Sequence, residues 1–241
     1  MKNSAALFTV VLLIVTISGY GQQKLPTFKK TVITNDFVAE GTAVGDVNKD
    51  GKIDIMAGTF WFESPSWKRH EIARPEIFKT TEYSNSFMHF SMDVNQDGWI
   101  DLIRVGFPGD PAMWYENPKN RMQAWNVHSV YHSVGNESPA LFDINNDGTK
   151  DLVCADSKNK KIVWISPPAT KGDTLWKKYV ISNDSVRGTH MYTHGLGFGD
   201  MNLDGYTDVI YREGWWEAPV DRTKPDWKFH PANLGDESAQ M

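Results

Sequence analysis

Short apolar runs with strand-like alternation, and no sustained helical stripes, make up most of the chain. Four runs are rich in β-branched and aliphatic residues, and each is followed by a run that begins with Trp and ends at or near Pro. A further run opens with Trp67, Trp125, Trp176 or Trp227 and alternates polar with apolar residues. Runs of this length and period-two alternation are typical of β-strands. The pattern therefore predicts a repeated unit with one strand before a polar loop and three strands after it.

The polar loop has the form D-x-N-x-D-G-x-x-D and occurs four times, beginning at Asp46, Asp93, Asp143 and Asp200. Successive copies begin 47, 50 and 57 residues apart. Four-stranded units of this length bury their faces only against neighbouring units, as the blades of a β-propeller do. A solenoid of calcium-binding nonapeptides would repeat every nine residues instead. We therefore predict an all-β propeller of four-stranded antiparallel blades, at about residues 38–73, 86–132, 137–182 and 193–233.

The spacing of the oxygen donors in each loop predicts a Ca²⁺ site. Side chains at positions 1, 3 and 5, a backbone carbonyl at 7 and a carboxylate at 9 can converge on one hard cation, and Gly at 6 permits the turn. An EF-hand would place Glu at position 12, where this chain has Ala57, Arg104, Cys154 and Tyr211. The alternative is an Asx-turn loop without metal. The predicted donors of the four structural Ca²⁺ ions are Asp46, Asn48, Asp50, Lys52, Asp54, Asp93, Asn95, Asp97, Trp99, Asp101, Asp143, Asn145, Asp147, Thr149, Asp151, Asp200, Asn202, Asp204, Tyr206 and Asp208.

These loops make the chain similar to the FG-GAP/VCBS repeat family of extracellular β-propellers, over roughly residue 37 to the end. Gly45-Asp46 and Phe198-Gly199-Asp200 match further landmarks of that family. The resemblance implies that each loop joins the first two strands of a blade and binds Ca²⁺. It also implies about seven blades.

Both ends of the chain carry further predictions. Residues 1–21 have a Lys, an apolar run and small residues before Gln22, which predicts a signal peptide and a secreted, periplasmic or cell-surface protein. No later run is long enough to span a membrane. Residues 28–34 match the fourth-strand pattern and are predicted to form a lone outer strand. Residues 234–241 resemble the start of a fifth blade, so we expect the N-terminal part of a larger propeller; a complete four-bladed propeller is the alternative.

Composition and charge limit the classes of partner that the sequence predicts. The four loops hold twelve of the 30 acidic residues, and four bound Ca²⁺ ions would change the net charge from −5 to +3. The acidic residues are thus explained by the predicted metal sites. The chain has no basic stripe with interleaved aromatic residues, so the sequence does not predict nucleic-acid binding. The single cysteine, Cys154, lies in an apolar run and is expected to be a buried thiol.

The residues expected to carry function lie on the face opposite the loops. Glu40, Phe87, Glu137 and His194 each stand six residues before a loop and are predicted to ring a channel mouth. Neighbouring candidates for ligand binding are Arg104, Asp156, Arg187, Tyr192 and Arg212, and the candidates for acid/base catalysis are His89, His190 and His194. His70, His128 and His230 occupy one slot of the fourth strand and are expected to be structural.

The motifs favour a binding module over an enzyme. No nucleophile elbow, phosphate loop or zinc motif is present, and His190 and His194 lack the neighbouring Glu of a zinc protease. We expect a calcium-stabilised interaction module for an extracellular partner, plausibly a polysaccharide. A lyase or sugar dehydratase with its site at the channel mouth is one alternative, and an adhesive spacer is another.

Overall fold

The computed structural model describes residues 26–236, and within that range the chain is built from β-strands with no helix. No segment of this range forms a helix that could cross a membrane. The predicted signal peptide lies outside the described residues, as does most of the segment predicted to begin a fifth blade. Sixteen strands are present: β1 Ala43–Gly45, β2 Asp54–Ala57, β3 Phe60–Glu63, β4 Lys68–Glu71, β5 Met88–Met92, β6 Asp101–Val105, β7 Ala112–Glu116, β8 Asn126–Tyr131, β9 Gly135–Phe142, β10 Asp151–Asp156, β11 Lys161–Ser166, β12 Lys177–Ser182, β13 Gly197–Gly199, β14 Asp208–Tyr211, β15 Gly214–Glu217 and β16 Lys228–Pro231.

The strands form four antiparallel sheets, each a meander of four consecutive strands. The sheets are β1–β4, β5–β8, β9–β12 and β13–β16, and every pair of neighbouring strands is joined directly along the chain. This confirms the predicted fold class of all-β, four-stranded blades like those of a β-propeller. The unit has one strand before the Asp-rich loop and three after it, as the sequence pattern indicates.

Neighbouring sheets pack in chain order, because alternate residues of each second strand point to opposite faces. In β6, Leu102 joins a buried cluster with the first sheet, and Ile103 joins a cluster with the third. In β10, Leu152 packs toward the second sheet and Val153 toward the fourth. Strands buried on both faces read as continuous apolar runs rather than as alternation. This explains the apolar sequence that follows each loop.

One face of the fourth sheet is less buried than the equivalent faces of the second and third sheets. The repeat Trp of the third strand is 1% exposed at Trp114 and at Trp164, whereas the equivalent Trp215 is partly exposed. Ile210, beside Trp215 on the same face, is also partly exposed, although its counterparts Ile103 and Val153 are fully buried. Among residues 26–236, no hydrophobic cluster joins the fourth sheet to the first.

The lone outer strand predicted for residues 28–34 is not formed. This segment has no regular secondary structure, and Phe28 is 91% exposed. A strand needs a partner for its backbone N–H and C=O groups, and no sheet in the described part of the chain pairs with it. The sequence match to the fourth-strand pattern was therefore not sufficient to predict a strand here.

The candidate metal loops and the opposite face

The four Asp-rich loops share one backbone conformation and join the first and second strands of their sheets. Position 4 has positive φ in every copy, at Lys49, Gln96, Asn146 and Leu203, with values from 57° to 63°. The glycine at position 6 has φ between 85° and 88° in all four loops. A side chain at position 6 would be strained at this φ, which accounts for the invariant glycine of the motif.

The side chains at positions 1, 3 and 5 face back onto the turn. In the first loop, Asp46 accepts the N–H groups of Asp50 and Gly51 at 3.0 and 2.9 Å. Asn48 accepts the same Asp50 N–H at 3.0 Å, and Asp50 accepts the Lys52 N–H at 2.9 Å. The other three loops repeat these bonds. The turn therefore holds the oxygens of these three side chains together on one side.

The position-9 aspartate is fully buried in all four copies and ties the loop to the sheet. Asp101 accepts the N–H of Val94 at 3.0 Å and the N–H of Asn117, just after β7, at 2.8 Å. Asp54 and Asp208 make the equivalent pairs of bonds. In the third loop the residue equivalent to Asn117 is Pro167, which has no N–H, so Asp151 keeps only the Ile144 bond from the backbone.

The electrostatics of the loops favour a bound cation. The pKa of Asp101 and of Asp151 is raised to about 7, mainly by burial and in part by neighbouring loop carboxylates, which together outweigh the hydrogen bonds that lower it. Burial also raises the pKa of Asp54, which is repelled in addition by Asp50 and Asp46. The carboxylates of one loop are thus close enough to repel one another, and a positive charge between them would relieve that repulsion.

In two loops, a lysine side chain already neutralises part of the negative charge. Lys52 Nζ lies 2.7 Å from Asp50 Oδ2, and Lys119 Nζ lies 2.9 Å from Asp97 Oδ2. Among residues 26–236, no three His, Cys, Asp or Glu side chains are arranged as a finished metal site. The predicted donor set also includes an Asn oxygen and a backbone carbonyl, so an all-oxygen set suited to a hard cation is present in each loop.

The opposite edge of the sheets carries an aromatic cluster, which we define as Tyr83, Phe87, Phe107 and Tyr192. Phe107 is at its centre, with ring centroids 5.6 Å from Tyr83, 6.0 Å from Phe87 and 6.0 Å from Tyr192. β5 begins and β6 ends at this edge, so Phe87 and Phe107 lie away from the loop that joins those strands. Tyr83 is 74% and Tyr192 is 46% exposed, which gives the cluster a solvent-facing apolar surface.

Two of the predicted mouth residues are in contact near this cluster. His194 Nε2 lies 2.9 Å from Glu137 Oε2, and the Glu137 N–H donates to the Thr193 carbonyl at 2.9 Å. His190 is exposed and its ring lies 5.5 Å from that of Tyr192. The segment before β13 therefore brings His190, Tyr192 and His194 to one edge.

The remaining candidates are engaged by other parts of the protein. Arg104 is buried and donates to Glu76 and to the Asn85 carbonyl at 2.5 and 2.7 Å. Asp156 is fully buried and accepts the Tyr131 hydroxyl at 2.5 Å. Glu40 accepts the Ser84 N–H at 3.0 Å, Arg187 pairs with Asp184, and Arg212 lies 3.4 Å from Glu213. The Tyr131–Asp156 bond joins the second and third sheets, and the contacts of Arg104 and Asp156 leave little of either side chain for a ligand.

His89 is buried and linked to the first sheet. Its Nε2 accepts the Gly58 N–H at 3.1 Å and faces the Ser86 hydroxyl at 3.0 Å. Burial, with a smaller contribution from the Arg104 guanidinium, lowers the pKa of His89 from 6.5 to about 4. The imidazole is therefore neutral near pH 7 and serves as a hydrogen-bond acceptor between sheets.

This burial predicts that His89 makes the protein less stable in mild acid. The unfolded chain binds a proton at His89 below pH 6.5, whereas the folded chain does so only near pH 4, so the stability is lost as the pH falls between these values. Between pH 7 and pH 5 the wild-type protein should lose about 2 kcal/mol relative to His89→Gln. Urea unfolding of both proteins at the two pH values measures this difference. The raised pKa values of Asp101 and Asp151 also make stability depend on pH, but they contribute equally to wild type and variant and therefore cancel in the comparison. His190→Gln, at an exposed imidazole, is the control, and an equal pH dependence in all three proteins would contradict the prediction.

Sequence reasoning did not identify Tyr83 or Phe107 as part of the candidate site. Phe107 follows the end of β6, at the same edge as Phe87, and strand boundaries could have indicated it. Tyr83 lies in an irregular connection and carries no such signal. The expectation for the fourth-strand histidines agrees with their contacts. His70 and His230 stack on the repeat Trp of β3 and β15, and His128 lies against the repeat Trp of β7 at an interplanar angle of 32°. Each of the three also contacts the Glu of the strand that carries this Trp.

Comparison with known protein families supports the repeat. Residues 93–154 match the model of an FG-GAP-like repeat. This segment runs from the first Asp of the second loop, through β6–β9 and the third loop, into β10. The match therefore spans one complete interval between two Asp-rich loops. A search of curated proteins found no match to the chain.

Proposed function

We propose that the protein is a secreted, calcium-stabilised β-propeller that binds an extracellular carbohydrate. The fold and the FG-GAP-like repeat support a binding or interaction module. The observation that carries the carbohydrate part is the exposed aromatic cluster on the edge opposite the Asp-rich loops. Recognition commonly uses loops on a rigid scaffold, and this edge consists of such connections.

In the calcium part of the proposal, each loop holds one ion through side-chain oxygens at positions 1, 3, 5 and 9 and the carbonyl at position 7. The ion supplies charge neutralisation and a fixed geometry for the turn. The chain's own residues anchor the loop, because the position-9 carboxylate also accepts a backbone N–H from its own loop and, in three of the four copies, one from the residue after the third strand. The role of calcium is thus structural, and ligand recognition is assigned to the opposite edge.

In the carbohydrate part of the proposal, Tyr192 and Tyr83 offer ring faces to the apolar face of a pyranose. Aromatic rings combine a large contact area with little conformational entropy to lose. The Glu137–His194 pair beside them offers a carboxylate and an imidazole to sugar hydroxyl groups. An exposed apolar cluster flanked by polar groups is typical of a binding surface and is not needed by a spacer.

Tyr192→Ala tests this surface. Loss of one stacking ring should weaken carbohydrate binding about tenfold, as expected for roughly 1.4 kcal/mol. The measurement is titration calorimetry with oligosaccharides selected on a glycan array, in the presence of calcium. Tyr192→Phe, which keeps the ring, is the matched control. Equal affinities of the two variants would overturn the assignment to the aromatic cluster.

The Glu137–His194 pair also favours a second candidate, an enzyme of glycan breakdown with its site at the same edge. A carboxylate that orients an imidazole 2.9 Å away is an arrangement suited to proton transfer. A lyase acting on uronate polysaccharides would form an unsaturated product with a new ultraviolet absorbance. Such an absorbance that disappears in His194→Ala would support the enzyme, and binding without turnover would support the module.

A further inference from the structure

A groove of about 800 Å³ opens between the first and second sheets, on the side of the Asp-rich loops. One wall is the outer part of the first sheet, and the other is the connection between β7 and β8. Asn48 and Asp50 of the first Asp-rich loop form part of its lining. This volume is within the range of small-molecule sites in proteins, and the residues that line the groove include none of the aromatic cluster.

The groove is a feature of this interface and not of the repeat. At the interface of the third and fourth sheets, Trp164 is 1% exposed and its Nε1 donates to the Arg222 carbonyl of the next sheet at 3.3 Å. The equivalent Trp61 of the first sheet is only partly buried and lines the groove. The indole at this position of the repeat is thus accessible at the first interface and covered at the third.

Trp61 and His70 form a flat aromatic wall. Their rings stack with centroids 4.1 Å apart and an interplanar angle of 12°. His70 Nε2 lies 2.8 Å from Glu63 Oε2, which fixes the imidazole against the indole. A rigid ring pair at the edge of a polar groove suits the C–H face of a sugar ring.

The opposite wall is held in place by side-chain amides. Asn117 Nδ2 donates to the Val47 carbonyl at 2.9 Å, and Asn120 Nδ2 donates to the Asn48 carbonyl at 2.8 Å. The connection after β7 is thereby tied to the first Asp-rich loop. A wall fixed in this way loses little entropy when a ligand binds.

The charges of the groove favour an anionic ligand. Lys68, Arg74 and Arg121 line it, and none of the three has a side-chain partner among residues 26–236. Of the lining acids, Asp50 is paired with Lys52, whereas Glu63 contacts His70 and, within residues 26–236, forms no ion pair with a lysine or arginine. Glu71 is left as a single acid without a partner in the described part of the chain. Within this described range, three basic side chains without a protein partner therefore face two acids, Glu63 and Glu71, that no lysine or arginine neutralises, and the groove keeps an excess of positive charge.

We propose that this groove is a second ligand site, which binds an acidic oligosaccharide. The sugar ring packs on the Trp61–His70 wall, and its carboxylate is bound by the guanidinium groups of Arg74 and Arg121, which match a carboxylate geometrically. The inference rests on the proposed carbohydrate-binding role, and it adds a site and an acidic ligand class to that role.

The test compares trigalacturonate with neutral maltotriose by titration calorimetry on the full chain with calcium. The variant Arg74→Gln/Arg121→Gln removes the two exposed guanidinium groups without disturbing the core. Lys158→Gln/Lys171→Gln removes two exposed charges from the third sheet and is the matched control. Tyr192→Ala reports on the aromatic cluster, and thermal unfolding midpoints show that each variant is folded.

We expect trigalacturonate to bind at least ~10-fold more weakly to the double-arginine variant, from the loss of charge-assisted hydrogen bonds. Its affinity for the lysine control and for Tyr192→Ala should be unchanged. Loss of binding in Tyr192→Ala but not in the arginine variant would overturn the groove site and support the aromatic cluster. Binding of maltotriose alone would overturn the acidic ligand and leave the proposed function standing. Binding of neither sugar would overturn the groove site, whereas the proposed function is decided separately by the array-selected oligosaccharides and Tyr192→Ala.

Discussion

Chelation of calcium is expected to lower the midpoint of thermal unfolding of this protein by ~10 °C or more. A ligand that binds only the folded state at 100 times its Kd stabilises that state by about 2.7 kcal/mol per site. A domain of this size gains about 2–4 °C per kcal/mol. Even two occupied loops therefore account for the expected shift. The physical reason is that a bound ion removes the repulsion among carboxylates that the fold holds together in each loop.

The measurement is differential scanning calorimetry in excess calcium and in excess EGTA. Asp200→Asn/Asp204→Asn removes two negative charges from the fourth loop only, and it should reduce the calcium-dependent shift by about a quarter if the sites contribute equally. Magnesium replacing calcium is the control for general ionic effects, since its smaller shell fits such loops less well. Equal midpoints in calcium and in EGTA would contradict calcium binding.

Substitution of Trp164 by Ala should cost about 4 kcal/mol of unfolding free energy, as for other large-to-small changes in a packed core. Trp164 is 1% exposed and belongs to the cluster between the third and fourth sheets. Trp215→Ala, at the equivalent position of the fourth sheet, should cost only about 1–2 kcal/mol, because its ring is partly exposed and less contact is lost. The two substitutions remove the same side chain from the same slot of the repeat.

Urea unfolding followed by far-ultraviolet circular dichroism measures both costs. Trp114→Ala is the positive control, since Trp114 is 1% exposed in the neighbouring cluster. It should resemble Trp164→Ala. A cost for Trp215→Ala equal to that of the two buried positions would show that the uncovered face of the fourth sheet is covered in solution.

The fold followed from the sequence because its determinants are local and repeated. The glycine and the buried aspartate of each loop set the turn, and the apolar run after Asp54, Asp101, Asp151 or Asp208 is buried on both faces in the inner sheets. The same signal occurring four times removed the ambiguity of any single short strand. The segment at residues 28–34 shows the limit, because a strand pattern without a pairing partner forms no strand.

The candidate sites could be predicted from the sequence only in part. The loop residues were identified from their spacing, since all of them lie within nine consecutive positions, whereas the bonds from Ser64, Asn117 and Ala218 to the position-9 aspartates were not foreseen. The pairing of Glu137 with His194, 57 residues apart, was foreseen only as a shared edge. The burial of His89 and Arg104, and the membership of Tyr83 and Phe107 in the aromatic cluster, depend on connections between sheets whose paths carry no repeated pattern.

The sequence by itself determined the unit of this protein: a four-stranded meander pinned by an Asp-rich turn, repeated four times. It did so because turn chemistry and strand periodicity act over a few residues. The tertiary structure decided which side chains remain available, namely Tyr192 and Tyr83 in the aromatic cluster, and Trp61, Arg74 and Arg121 in the groove between the first and second sheets. Exposure of these groups depends on how closely neighbouring sheets and irregular connections approach, which is a property of packing between distant segments.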